Sequence, residues 1–201
     1  MPKPLLRLVL DTATKYLYLA LIQDDEVIAE TFEEGMEDHS IRLMPSMEQT
    51  LKRHHLEVKD LDELYIGIGP GSYTGVRIGV AIAKMIGYLT GVKTYAFSSL
   101  ALMATSSEKP QVLALIDARR KNAFMATFEN REGHFKRLGP DVLEPIVDYL
   151  ATQSPASDIV GEGQKPNVMK LLRNGHFESV QDIHALVPNY LQITEAEKNR
   201  R

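Results

Sequence analysis

GIGPGSYTGVRIG, Gly67 to Gly79, sets five glycines, one proline and the hydroxyls of Ser72 and Thr74 just ahead of an apolar run. Glycines in such a loop let backbone N–H groups approach an anion, and a helix start favours negative charge. The spacing fits neither familiar phosphate cradle. A P-loop needs four residues between its glycines and then Lys-Ser/Thr, whereas Gly71 and Gly75 enclose three and are followed by Val76-Arg77. A dinucleotide fingerprint begun at Gly67 and Gly69 would want a third glycine where Ser72 stands. The stretch therefore reads as a strand-to-helix turn, with Gly69 or Gly71 at positive φ and Ser72 or Thr74 capping. The helix that follows runs from Val76 to Leu89 and ends at Gly91. Gly75, Gly79, Ala83 and Gly87 recur every four residues along it, a ridge of small side chains on one face. Gly79 and Gly87 cost roughly 2 kcal/mol of helix propensity together. Close approach of another backbone offsets that cost, from within the chain or from a second subunit.

Upstream, LRLVLDTATKYLYLALIQDDEVIAETFE reads as three strands joined by polar turns. His39 to Leu56 is an amphipathic helix with Ser40 as N-cap and Pro45 in its opening turns. Its apolar positions fall in two sets, Leu43, Met47 and Thr50 being offset from Ile41, Met44 and Leu51. LDELYIGIG is a strand feeding the glycine stretch, and VKTYAFSSLALMA a strand and a helix start. SSEKP marks a boundary between a first lobe, residues 1–106, and a smaller second one, residues 107–201. Beyond it, LALIDARRKNAFMATF aligns without a gap on LVLDTATKYLYLALI, Asp117 falling under Asp11. That internal repeat predicts two similar lobes facing one another across a cleft. Later come helices near Ile146 to Ala151 and Val168 to Arg173, the strand-turn DIVGEG, and a tail, LVPNYL, that crosses back onto the first lobe.

The 201 residues carry a net charge of -4, 44% hydrophobic content and no cysteine. This excludes a general basic field for nucleic acid, a disulfide framework and a thiolate site. The Leu5 to Leu10 run is interrupted by Arg7 and closed by Asp11, too short and polar for a secretion signal, and no stretch could span a bilayer; a soluble cytoplasmic protein is expected. Asp11 and Asp117, at equivalent strand ends, are candidate groups for hydrated magnesium and nucleotide phosphate, or else cap their own turns. Gly161 and Gly163 are candidates for close approach of an adenosine. Arg119, Arg120 and Lys121 form a compact basic cluster at a turn, a candidate RNA contact or a solvated surface. His39 lacks a same-face second metal ligand, because Leu43 stands four residues on.

DTAT, HSIRLMP, GIGPGSYTGVRIGVAIAKMIGYLTG, LALIDARRKNAFMATF, DIVGEG and VPNYL together resemble the TsaB (YeaZ) family of bacteria. The likeness covers nearly the whole chain, and GPGSYTGVRIG is its specific part. The resemblance implies an α/β, two-lobed actin/hexokinase/Hsp70-like (ASKHA) fold. It implies a subunit with no catalytic residue and no metal site of its own, the paralogue and partner of TsaD, which transfers a threonylcarbamoyl group to the adenosine beside the anticodon. The resemblance further implies that a TsaE-type ATPase joins the assembly, that a homodimer forms when the chain is alone, and that tRNA is met only through the complex. No tightly bound cofactor is implied; ATP and magnesium enter at the level of the complex. The family's contact through first-lobe helices carries over to Ile41, Leu43, Met47 and Thr50 on one helix and to Arg77, Gly79, Ala83 and Gly87 on the next. The second lobe, from about Gln111 onward, is short for one that closes on nucleotide. The alternatives are a stand-alone nucleotide-dependent phosphotransferase or ATPase and a glycoprotease-like metallopeptidase.

Overall fold

A computed structural model describes residues 3–35, 39–152 and 158–191. Leu6, Leu8 and Leu10 alternate with Arg7 and Val9 along the first strand, so successive side chains enter two different layers. The first lobe comprises β1 (Leu6–Asp11), β2 (Tyr16–Gln23), β3 (Glu26–Glu34), α1 (His39–Arg53), β4 (Glu63–Gly67), α2 (Tyr73–Thr90), β5 (Lys93–Phe97) and α3 (Ser99–Ala104). β1 to β3 form the expected antiparallel meander, while β4 and β5 add parallel to β1 on its other side. On one face of this sheet Leu8, Leu10, Leu17, Leu19, Leu21, Leu64 and Ile66 pack against α1 and α2. Val9, Tyr18, Ala20, Ile22 and Tyr65 fill the opposite face. A sheet covered on both sides explains why these strands read as nearly continuous apolar runs.

The second lobe contributes β6 (Gln111–Asp117), β7 (Asn122–Arg131), β8 (His134–Arg137), β9 (Val142–Pro145), α4 (Ile146–Thr152), β10 (Asp158–Val160) and α5 (Val168–Arg173). Its sheet runs β10-β6-β7-β8, with β9 also paired to β7. The repeat read from the sequence is structural: β6 pairs with β7 as β1 pairs with β2. Asp11 and Asp117 do the same local work, each accepting through Oδ1 from the backbone N–H two residues on, at 2.7 Å from Ala13 and 2.8 Å from Arg119. β11 (Glu178–Ser179) returns to the first lobe and pairs with β5, which neither β propensity nor length announced.

The lobes share one core. Val112, Ala114, Ile116, Phe124, Ala126 and Phe128 of the second sheet cluster with Val9, Tyr18, Ala20 and Tyr65 of the first, with α3 and α5 between them. Polar braces flank it. Lys15 N–H donates to Glu162 Oε2 at 3.0 Å, and Lys165 pairs with Glu30 at 2.5 Å. Elsewhere along the seam Asp141, its side chain 4% exposed, accepts from Ser98 Oγ at 3.0 Å, from Asn189 Nδ2 at 3.1 Å and from Arg137. Burial pushes the Asp141 carboxyl above the usual aspartate range, against the opposing pull of Arg137, Ser98 and Asn189. The folded form then binds that proton more tightly than the unfolded chain, so this group's contribution to stability falls as pH rises from the ordinary aspartate range through the raised value. Asp141→Asn removes that dependence. The wild-type urea midpoint is expected to fall relative to the variant's as pH rises through this window; a constant difference would show that Asp141 does not titrate there.

Candidate functional site

Four of the five glycines of Gly67–Gly79 face residues 11–13 of this chain, at the end of β1 and in the turn after it, while Gly69 faces Val76 and Asn189. A Cβ on Gly67 would lie 2.2 Å from Asp11 Oδ2, one on Gly71 2.2 Å from the Ala13 carbonyl oxygen, and one on Gly75 2.0 Å from the Thr12 carbonyl oxygen. Ser72 N–H donates to Ala13 O at 2.6 Å, and Thr12 Oγ1 donates to Gly75 O at 2.7 Å. The backbone of Asp11 to Ala13 therefore occupies the place that a phosphate cradled by these glycines would need. The local reading holds: Gly69 has φ +93°, and Ser72 caps α2 by accepting from Gly75 N–H at 3.2 Å. Gly91, at φ 67°, closes the helix in a left-handed cap.

The small-residue ridge turns inward as well, and this corrects the outward placement expected for it. Ala83 is fully buried, a Cβ on Gly79 would meet Thr12 Oγ1 at 2.6 Å and Ile66 at 3.2 Å, and one on Gly87 would meet Ile183 at 2.8 Å. On α1, Leu43, Met47 and Thr50 are buried beneath the sheet at 0%, 2% and 7% exposure, so they too are core residues and not a free surface. Helix propensity lost at Gly79 and Gly87 is offset within the chain, by the Asp11–Ala13 turn and by the tail.

Outward, the two helices present a different set. Ile41 is 70% exposed and Met44 is exposed on α1; on α2 the stripe Tyr73, Arg77, Ala81, Met85 and Tyr88 with Leu89 faces away from the sheet, Tyr88 and Leu89 being 68% and 72% exposed. Ile41 and Arg77 are thus the two sequence-derived contact residues that lie on open surface. Arg77 lies over the Tyr73 ring, 5.1 Å from its centroid, and donates to its hydroxyl at 3.1 Å. The tail borders this face: Lys84 Nζ donates to the carbonyls of His184 and Leu186 at 2.8 and 3.2 Å, and Tyr190 packs on Tyr73 with centroids 5.3 Å apart. Ala81, Met85, Tyr88 and Leu89 escaped the sequence reading, although an α2 apolar on nearly every side was the signal for them.

Between the lobes lies a cavity of about 440 Å³ bordered by Ser72, Thr74, Asp117, Arg119, Phe124 and Glu162. Of the candidate nucleotide residues, Asp117 faces it, whereas Asp11 is buried against Gly67. Gly161 has open space around it, and a Cβ on Gly163 would lie 3.3 Å from the Tyr16 hydroxyl. Arg119, Arg120 and Lys121 are exposed and take left-handed φ of 66°, 53° and 67°, a conformation that is costly for side-chain-bearing residues. The turn is held by Asn122 N–H to Arg119 O at 3.0 Å and Ile146 N–H to Lys121 O at 3.0 Å.

Among the described residues no helix is long and apolar enough to cross a membrane. A family model described as TsaD: tRNA N6-adenosine threonylcarbamoyltransferase matches residues 26–186. The sequence is 29% identical to the tRNA threonylcarbamoyladenosine biosynthesis protein TsaB of Bacillus subtilis (strain 168), over 94% of this chain and 95% of that protein. The protein of the same name from Escherichia coli (strain K12) is 34% identical over 62% of this chain and 55% of its own length. The solved structure of YeaZ from Pseudomonas aeruginosa matches with a TM-score of 0.79 at 22% identity, over 93% of this chain and 100% of that one, and so has the same fold.

Proposed function

Because the chain belongs to the TsaD family and stands with its TsaB/YeaZ members, we propose that it is the TsaB-type subunit in the formation of threonylcarbamoyladenosine in tRNA, acting without catalytic residues of its own. It docks the TsaD-type catalytic subunit, a TsaE-type ATPase joins them in the cytoplasm, and two copies pair when the partner is missing. ATP and magnesium act at the level of the assembly, and tRNA is met there, with Arg119 to Lys121 as the phosphate-contacting turn. The observation that carries this reading is the division of labour along α2: its glycine side is filled by Thr12 and Ile183, while its opposite side leaves Met85, Tyr88 and Leu89 largely exposed. Contiguous apolar surface of this kind marks association sites. It also supports a contact through the outer sides of the first-lobe helices, not through the ridge.

Reconstitution with the TsaD-type and TsaE-type subunits, threonylcarbamoyl donor, ATP and tRNA tests the role. Nucleoside analysis of the tRNA is expected to show the modified adenosine with this chain present, and none from this chain alone. Equal yield without it, or threonylcarbamoyl transfer by the isolated chain, would overturn the proposal.

A further inference from the structure

A second cavity, of about 340 Å³, lies at the lobe seam and is distinct in its lining from the cleft beside Asp117. Its size falls within the range of small-molecule sites. Two unlike charges border it. Arg137 is held on one side: its Nε donates to Gly139 O at 2.6 Å and its Nη2 to the buried Asp141. A guanidinium has five N–H donors in a fixed fork, and Nη1 has no partner among the described residues. Asp141 already accepts from Ser98, Asn189 and Arg137, three of the roughly four contacts a carboxylate can accept, so it serves chiefly to anchor the arginine. Glu178, exposed on β11, borders the cavity as a residue of opposite charge, and its carboxylate has no protein partner among the described residues. Ile68, Phe97 and Phe177 supply apolar wall. The remaining titratable ring, His176, is engaged through Nε2 with Phe135 O at 2.5 Å.

A lone anion would gain Arg137 but meet Glu178, and a lone cation would meet the reverse. A ligand carrying both charges satisfies both groups, and an apolar side chain would cover the wall. We propose that the seam cavity binds a small zwitterionic amino acid, its carboxylate on Arg137, its ammonium on Glu178 and its side chain toward Ile68 and Phe177. Holding Arg137 in place before binding reduces the ordering cost of the interaction.

The test is amide-resolved NMR titration of the full chain with leucine, with 4-methylpentanoate, which lacks the ammonium, and with 3-methylbutylamine, which lacks the carboxylate. Leucine is expected to give saturable shifts at Ser98, Phe177 and Asn189 with a Kd below about 1 mM. Each single-charge analogue should bind about tenfold or more weakly, the loss of one charge-assisted contact. Glu178→Gln should cost leucine a similar factor while 4-methylpentanoate binds at least as well as before, its repelling charge being gone; Arg137→Gln should do the converse for the amine. Because loss of Arg137 also strips a partner from buried Asp141, Glu178→Gln carries the decision if the arginine variant fails to fold. Absence of saturable shifts up to the solubility of leucine, equal affinity for the three probes, or leucine binding undiminished in Glu178→Gln would overturn the proposal.

Discussion

Gly75→Ala is expected to lower the unfolding free energy by about 3 kcal/mol, the upper end of the usual cost of overpacking, and the melting temperature by roughly 10 °C for a chain of this size. The added methyl would lie 2.0 Å from the Thr12 carbonyl oxygen. That atom belongs to backbone, and it cannot swing aside as a side-chain tip would. Thr12 is pinned besides, its Oγ1 donating to Gly75 O and the next carbonyl accepting from Ser72 N–H. Relief would require the β1–β2 turn to lift from the start of α2, parting the strand end that carries Asp11 from Gly67. Gly139→Ala is the matched control, since a Cβ there meets nothing within 4 Å, and it should stay within about 0.5 kcal/mol of wild type. Thermal and urea unfolding measure both. A Gly75→Ala variant as stable as Gly139→Ala would mean that the glycine stretch is not packed against residues 11–13.

The strand layout was legible because it rests on local signals. Period-two alternation in YLYLAL, the Asp-Asp turn before β3, Ser72 before α2 and Gly91 after it each act within a few residues; β1, β2 and the caps of α2 lie where those signals put them, while α2 itself opens at Tyr73, three residues before the expected Val76. The repeat was legible for the same reason, Asp11 and Asp117 marking one turn chemistry twice. What was hidden depends on distance. Leu43 and Ile41 are both apolar on an amphipathic helix, and the sequence alone does not say which set meets the sheet; the first is fully buried and the second 70% exposed. A glycine ridge announces that something packs close without saying what, and the answer, the Thr12 backbone and the Ile183 side chain, lies 63 residues before Gly75 and far beyond Gly87. Asp141 and Asn189 carry no shared motif, yet they meet across 48 residues to hold the tail at the seam.

Met85→Asp should weaken association with the TsaD-type subunit by about 2–4 kcal/mol, the loss typical of a central interface residue, or roughly 30- to 1,000-fold in Kd. Met85 sits midway along the outer α2 stripe between Arg77 and Leu89, 42% exposed and apart from the inward ridge. An aspartate there remains hydrated in the free chain, so stability should change by no more than about 0.5 kcal/mol. In the complex it would carry an unpaired carboxylate into an apolar contact, where desolvation has no compensating partner. This separates docking from folding in a way that a bulky residue on the ridge cannot, because Gly79→Leu would strike Thr12 and Ile66 and disturb the core first. Isothermal titration of the TsaD-type subunit from the same organism with wild type and Met85→Asp, both confirmed folded, is the direct measurement. A loss of at least about thirtyfold in affinity, with unchanged melting temperature, is the result predicted; an unchanged Kd would contradict docking through the outer sides of the first-lobe helices.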